Sequence, residues 1–180
     1  LTGIWNEANM GGHWGAELRF AGLDGLIVTG RAAEPVYLWI HDGQAEIRPA
    51  GHLWGLEHFD VFERLRGETD PKAQVACIGP AGENLVRLAG VMQGGQEHAR
   101  SGARGGMGAL LGSKNLKAIV VRGSDRPQYP DPKAFQAFVK QINAFIKDNS
   151  VGMSQLGTPG GIIGTETVAR AQPDGHQPRP

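Results

Sequence analysis

Apolar and polar residues alternate from Val36 to His41: Val36, Leu38 and Ile40 fall on one side, Tyr37, Trp39 and His41 on the other. Asp42-Gly43 follows, and Ala45 and Ile47 take up the two-residue period again, which predicts a hairpin closed by a two-residue turn. The period then lengthens. Leu56, Phe59, Phe62 and Leu65 recur at helical spacing and predict a helix packed on that sheet. Gln74 to Ile78 is a short apolar run stopped by Gly79-Pro80, and Asn115 to Gly123 supplies another with its own stop signal; both predict strands. Gly25 to Thr29 and Leu85 to Met92 are further predicted strands, and Ala16 to Phe20 a short helix. Asp131-Pro132 opens the clearest helix, because Asp suits the N-cap, Pro suits the first helical position, and Phe135, Phe138, Ile142, Phe145 and Ile146 share one face. Strands and helices mix without a regular βαβ alternation, so the expected class is α+β, not a doubly wound sheet.

Length and charge narrow the picture. At 180 residues the chain holds one domain with a core, or one domain and part of a second. The pattern divides it into 1–126 and 127–180, the latter a helix and the start of a following helical domain. Both ends read as cuts: Leu1-Thr2-Gly3 enters mid-turn, and from Gly152 the pattern decays without a closing element. Eighteen Lys plus Arg balance eighteen Asp plus Glu, so no global bias toward nucleic acid or an anionic membrane exists and any anion binding must be local. No apolar run reaches membrane-spanning length and no signal-peptide pattern opens the chain; a soluble, cytoplasmic protein is expected. Cys77 sits in an apolar run and reads as a small core residue.

The chemistry concentrates between Arg100 and Asn115. Arg100-Ser101-Gly102-Ala103-Arg104-Gly105-Gly106 sets two guanidinium groups among closely spaced glycines and runs into Met107-Gly108-Ala109-Leu110-Leu111, a short segment open to a helical form. Such a run lets backbone approach an anion while arginines reach its charge, and free N–H groups at the helix start would add to it. It reads as a phosphate cradle. Walker A spacing fails, since Ser113 precedes Lys114, and the dinucleotide pattern fails because arginines stand inside the loop and no apolar strand leads into it. From spacing alone, a glycine-rich surface turn with solvated arginines fits equally well. Elsewhere the plain readings lead. His13 and Trp14 read as an aromatic pair over a turn, and His41, His52, His58 and His98 as solvated or capping residues. Glu17 and Arg19 read as a surface pair, Asp24 as a turn former, and Glu83 and Asn84 as turn stabilisers.

Three segments together resemble the N-terminal domain of the tungsten-dependent aldehyde ferredoxin oxidoreductases: Asn9-Met10-Gly11-Gly12-His13-Trp14-Gly15 and its continuation to Gly25, Ile78-Gly79-Pro80-Ala81-Gly82-Glu83-Asn84, and the arginine-glycine loop continued to Ile119. The resemblance runs from residue 1 to about 149. It implies a base domain of two similar α+β halves, the first incomplete here, carrying a tungsten or molybdenum bis-pyranopterin whose phosphates are bridged by magnesium. Carried over, the cofactor-binding positions are Asn9, Gly11, Arg100, Ser101, Ala103 and Arg104, with Asn9 and Ser101 at the magnesium; these residue types suit a hard cation and phosphate oxygens. The family has Ala-Ala-Gly between its loop arginines where this chain has Ser101-Gly102-Ala103. The implied activity is oxidation of aldehydes to carboxylic acids, with ferredoxin or an electron-transfer subunit as acceptor and a homo-oligomer as one arrangement. The ligands of a [4Fe-4S] cluster and the catalytic groups would lie outside this chain. The tungsten subunit of a benzoyl-CoA reductase is the alternative within the family. A non-catalytic fragment of the same fold and a nucleotide-binding module are the alternatives outside the chemistry.

Overall fold

A computed structural model describes residues 5–96, 98–126 and 128–149. The chain divides into two compact units, Leu1–Pro127 and Gln128–Pro180. In the first, six strands form one mixed sheet: β1 (Val36–His41), β2 (Gln44–Pro49), β3 (Gln74–Cys77), β4 (Val91–Gln93), β5 (Arg100–Gly102) and β6 (Leu116–Arg122), in the order β2-β1-β6-β3-β4-β5. β1 and β6 run parallel, and the other neighbours antiparallel. The helices of this unit are α1 (Trp14–Phe20), α2 (His58–Glu68), α3 (Pro80–Glu83) and α4 (Met107–Ser113). The fold is the α+β class that the mixed pattern predicts.

The hairpin forms where alternation places it. Asp42 and Gly43 both hold positive φ, 44° and 78°, the turn whose twist matches paired strands, and His41 opposes Gln44 beside it. Burial departs from the simple alternation because the sheet's centre is covered on both faces. Tyr37 and Trp39 join Val61, Phe62 and Leu65 of α2 with Val75, Cys77, Ala118 and Val120 in one core cluster; Ile40 and Val121 pack with Leu18 and Ala21 in another. A strand covered on both sides needs apolar residues at successive positions, which is why β6 is apolar without a break from Ala118 to Val121.

Two predicted strands are corrected. Residues 25–29 form no ladder: Leu26 packs under the α1 cluster while Ile27 points outward, 90% exposed. The strand predicted for Leu85 to Met92 shrinks to β4. Leu85 takes a positive φ of 57°, and the N–H groups of Leu85, Val86 and Ala89 bond to Gly82, Ala81 and Val86 carbonyls in tight turns, so no ladder partner is left for them. Those residues turn the chain between α3 and β4 instead.

The second unit contains α5 (Pro132–Asn149), begun as expected at Asp131, whose carboxylate accepts the Ala134 N–H at 2.9 Å. None of its side chains is buried among the described residues, and Phe138 and Phe145 are exposed. The expectations for Leu1-Thr2-Gly3 and for the chain from Gly152 onward lie outside the described residues.

Candidate functional site

The arginine-glycine run does not begin as a loop. Arg100–Gly102 is β5, one of the sheet's two edge strands, paired with β4 so that Gln93 opposes Arg100, Met92 opposes Ser101 and Val91 opposes Gly102. This strand is Arg100-Ser101-Gly102, the first three residues of the run itself, and not an apolar strand leading into it. The chain then passes through a 3₁₀ turn at Arg104–Gly106, where Gly105 and Gly106 sit at φ 68° and 73°, left-handed values that favour glycine. Several of the glycines serve close packing. A Cβ on Gly108 or Gly112 of α4 would overlap the carbonyls of Gly90 and Gly82, so this helix lies directly on the α3–β4 turn. The Gly108 N–H, expected to be free for an anion, donates to the Ala89 carbonyl at 2.9 Å.

The first glycine turn is brought to this strand. Gly102 faces Met10 and Ala8, whose Cβ atoms would lie 3.5 and 3.8 Å from a Cβ placed on it, and Gly11 lies against the Arg100 side chain. The Asn6 amide donates to the Gly105 carbonyl at 2.7 Å, joining the two segments a second time. Gln93, only 1% exposed, donates through its amide to the Gly11 carbonyl and accepts the Trp14 N–H at 3.2 Å. Gly12, at φ 98°, has no room for a side chain because that carboxamide fills the space. Neither Asn6 nor Gln93 is among the expected site residues; an amide side chain at these positions carries no spacing signal, and only the fold shows its partners.

The expected residues therefore gather along one edge. Asn9 and Ser101 are exposed there, and Ala103 holds φ −101° and ψ 1°, a conformation open to any L-residue, so the shifted glycine leaves the backbone path unstrained. Gly102, one place earlier, is buried against the first turn. Arg100 and Arg104 are exposed; Arg100 donates to its neighbour's carbonyl, Ala99, at 2.9 Å, while Arg104 forms no hydrogen bond or ion pair with a described residue. Two cations without a carboxylate partner, among backbone and amide dipoles, suit an anion with several oxygens. Among the described residues no group of three His, Cys, Asp or Glu is placed to hold a metal ion. A magnesium ion on Asn and main-chain oxygens needs no such group.

Further into the sheet, on β6, lies a buried ion pair. The Lys117 ammonium, fully buried in β6, meets the Glu83 carboxylate and donates to the Leu56 carbonyl at 2.9 Å, and Glu83 also accepts the Gly55 N–H at 2.8 Å. The turn-stabilising role expected of Glu83 takes this form, and Asn84 adds an amide bond to the Pro80 carbonyl at 2.8 Å. Other expectations are corrected. His58 is buried, with Nε2 2.6 Å from the Gly94 carbonyl and Nδ1 3.1 Å from the Cys77 sulfur. Burial pushes this imidazole below the ordinary histidine range, against the pull of the Gly94 carbonyl, and burial pushes the Cys77 thiol up to about 12. Glu17 is buried as well: it pairs with Arg122 at 2.6 Å and accepts the Gly123 N–H at 3.0 Å, while Arg19 forms an exposed pair with Asp24. Trp14 packs against the Leu18 cluster, and its indole donates to the Ile119 carbonyl at 3.0 Å.

The same combination of turns and sheet occurs in known proteins. The family model for the aldehyde ferredoxin oxidoreductase N-terminal domain matches residues 1–123. The tungsten-containing aldehyde ferredoxin oxidoreductase of Pyrococcus abyssi is 46% identical over 162 residues, 88% of this chain and 26% of that protein. Its counterpart in Pyrococcus horikoshii is 47% identical over 154 residues, 84% of this chain and 25% of that protein. The WOR-like subunit of the aliphatic sulfonate oxidoreductase of Pyrococcus furiosus is 35% identical over 71% of this chain and 22% of its own length. Among solved structures, the active-site complex of a benzoyl-coenzyme A reductase bound to 1,5-dienoyl-CoA superposes with a TM-score of 0.72 at 40% identity, covering 79% of this chain and 21% of that one. The chain thus spans about a quarter of the length of the relatives it matches. Among the described residues no helix is long and apolar enough to cross a membrane.

Proposed function

Because this chain belongs to the aldehyde ferredoxin oxidoreductase family, a family of tungsten oxidoreductases, we propose that the edge formed by the Asn9 turn and β5 holds the phosphates of a tungsten or molybdenum bis-pyranopterin. The observation that carries this reading is the meeting of two segments about 90 residues apart, with Gly11 against Arg100 and Gly102 against Met10 and Ala8. Arg100 and Arg104 would bind phosphate oxygens, and Gly11 and Ala103 would present main-chain groups. The Asn9 amide oxygen and Ser101 would serve a magnesium ion between the phosphates. When bound, the metal centre supplies the oxidation of an aldehyde to a carboxylic acid, with electrons passing to ferredoxin through a [4Fe-4S] cluster ligated outside this chain. The residues here bind and orient the cofactor and compensate its charge.

The test is tungsten and organic phosphorus per chain in the complete, anaerobically prepared polypeptide. Arg104→Ala and Arg100→Ala are each expected to lower both together by about tenfold, since a hydrogen bond to a charged partner is worth about 1.5–3 kcal/mol. Arg64→Ala, on the exposed side of α2, is expected to leave them unchanged. Equal content in all four proteins would sink the assignment of these arginines, and a wild type free of metal and phosphorus would favour a non-catalytic fragment. A second reading rests on the benzoyl-coenzyme A reductase structure, which shares this fold at 40% identity. Turnover of an aromatic acyl-CoA in place of an aldehyde would select it.

A further inference from the structure

We propose that Gln93 is a positioning residue that sets the spacing between the Asn9 turn and the Arg100 strand, an inference that rests on the phosphate-binding reading of that edge. Gln93 is the last residue of β4, and it is 1% exposed. Both halves of that carboxamide are used by one turn: the amide donates to the Gly11 carbonyl, and the oxygen accepts the Trp14 N–H at 3.2 Å. The Trp14 N–H lies at the start of α1, where a helix has no internal acceptor for its first donors. Gly12 stands between these two anchor points at φ 98°, pressed so closely on the carboxamide that any side chain would collide with it. Through its backbone the same residue is paired across the ladder with Arg100. One residue therefore fixes the first turn through its side chain and the arginine strand through its main chain. Asn6 also joins the two segments, but from the exposed surface and onto Gly105, beyond the strand.

An apolar side chain of similar length would fill the same space and leave the Gly11 carbonyl and Trp14 amide without partners. The turn would then be free to lift from the strand while the core beneath stays packed. Cofactor retention, more than fold, is the quantity this changes.

The experiment uses the complete polypeptide, produced anaerobically with tungstate, as wild type, Gln93→Met and Gln93→Glu. Tungsten and organic phosphorus per chain are followed during dialysis against a chelator, alongside the thermal unfolding midpoint of the cofactor-free protein. Gln93→Met is expected to lose both elements about tenfold faster than wild type, the scale on which residues supporting a ligand shell act, with its unfolding midpoint nearly unchanged. Gln93→Glu discriminates further. Ionised at about pH 8, a carboxylate there accepts from Trp14 and has no proton for Gly11; protonated at about pH 5, as burial favours, the carboxyl restores both bonds. Its retention, normalised to wild type at the same pH, is expected to rise as pH falls. Wild-type retention in Gln93→Met, or a Gln93→Glu that behaves identically at the two pH values, overturns the inference; if Gln93→Met fails to fold, the second variant decides alone. A wild type without organic phosphorus overturns the phosphate-binding reading and this inference with it.

Discussion

His58 shows how one buried side chain ties stability to pH. The Gly94 carbonyl can only accept, so Nε2 carries the proton and Nδ1 is left to accept from the Cys77 thiol, which burial keeps protonated. The imidazole is neutral in this arrangement, and a second proton on Nδ1 would face the thiol proton. Its folded pKa is held below the ordinary value of 6.5, so at lower pH the unfolded chain binds more protons than the folded one and stability rises with pH through that window. The contribution is fully present above about pH 6.5 and is lost as pH falls through the depressed folded value. Urea titrations of the wild type and His58→Gln at about pH 7 and about pH 5.5 check this: the wild-type midpoint should fall between the two, and the variant's should fall less. Parallel slopes in the two proteins would remove His58 as the cause. The Cys77 thiol, up at about 12, should resist alkylation in the folded state over the same range.

At the scale of elements, the Lys117–Glu83 pair fastens α3 to the middle of the sheet. The two side chains are 0% and 3% exposed, so removing either charge strands the other away from water. Lys117→Met is expected to cost about 3–5 kcal/mol in chemical denaturation, and Lys117→Met combined with Glu83→Gln to recover most of it. A double variant no better than the single would show that the Gly55 and Leu56 backbone bonds, and not the charge pairing, dominate. Neither partner announces this pairing in the sequence. Lys117 falls inside an apolar strand where a charged residue reads as a surface position, and Glu83 follows Gly79-Pro80 where turn chemistry explains it. The elements that were legible are those whose burial pattern is local: the hairpin from its alternation and Asp42-Gly43, α2 from its spacing, α5 from its cap. Leu85, Val86 and Leu88 misled because they are apolar yet exposed, at 52%, 46% and 85%, on a turn over α4. The site divides in the same way. Its arginines and glycines stand out as a motif, whereas Asn6 and Gln93, which join the two turns, are recognisable only once β4, β5 and the first turn lie side by side.

For the whole first unit, the candidate site sits at the sheet's thinnest margin. β4 and β5 are three residues each, against six or seven in β1, β2 and β6, and the buried core clusters draw on β1, β3, β6, α1 and α2. Short edge strands with little apolar burial open at lower free energy than the centre of a sheet, so residues 6–12, 91–93 and 100–106 should exchange amide hydrogens faster than β1 and β6 in cofactor-free protein. A multivalent anion gripped by both turns binds only when they are together, and binding that favours the closed form lowers the population of the open one. Loading the cofactor is therefore expected to slow exchange across all three segments at once by about tenfold or more, while β1 and β6 change little. Protection confined to 100–106 would mean that the arginine strand binds alone and the Asn9 turn is a bystander. Equal protection throughout the sheet would mean that the edge is no weaker than the core, and would remove the thermodynamic reason for Gln93 and Asn6 to hold it in register.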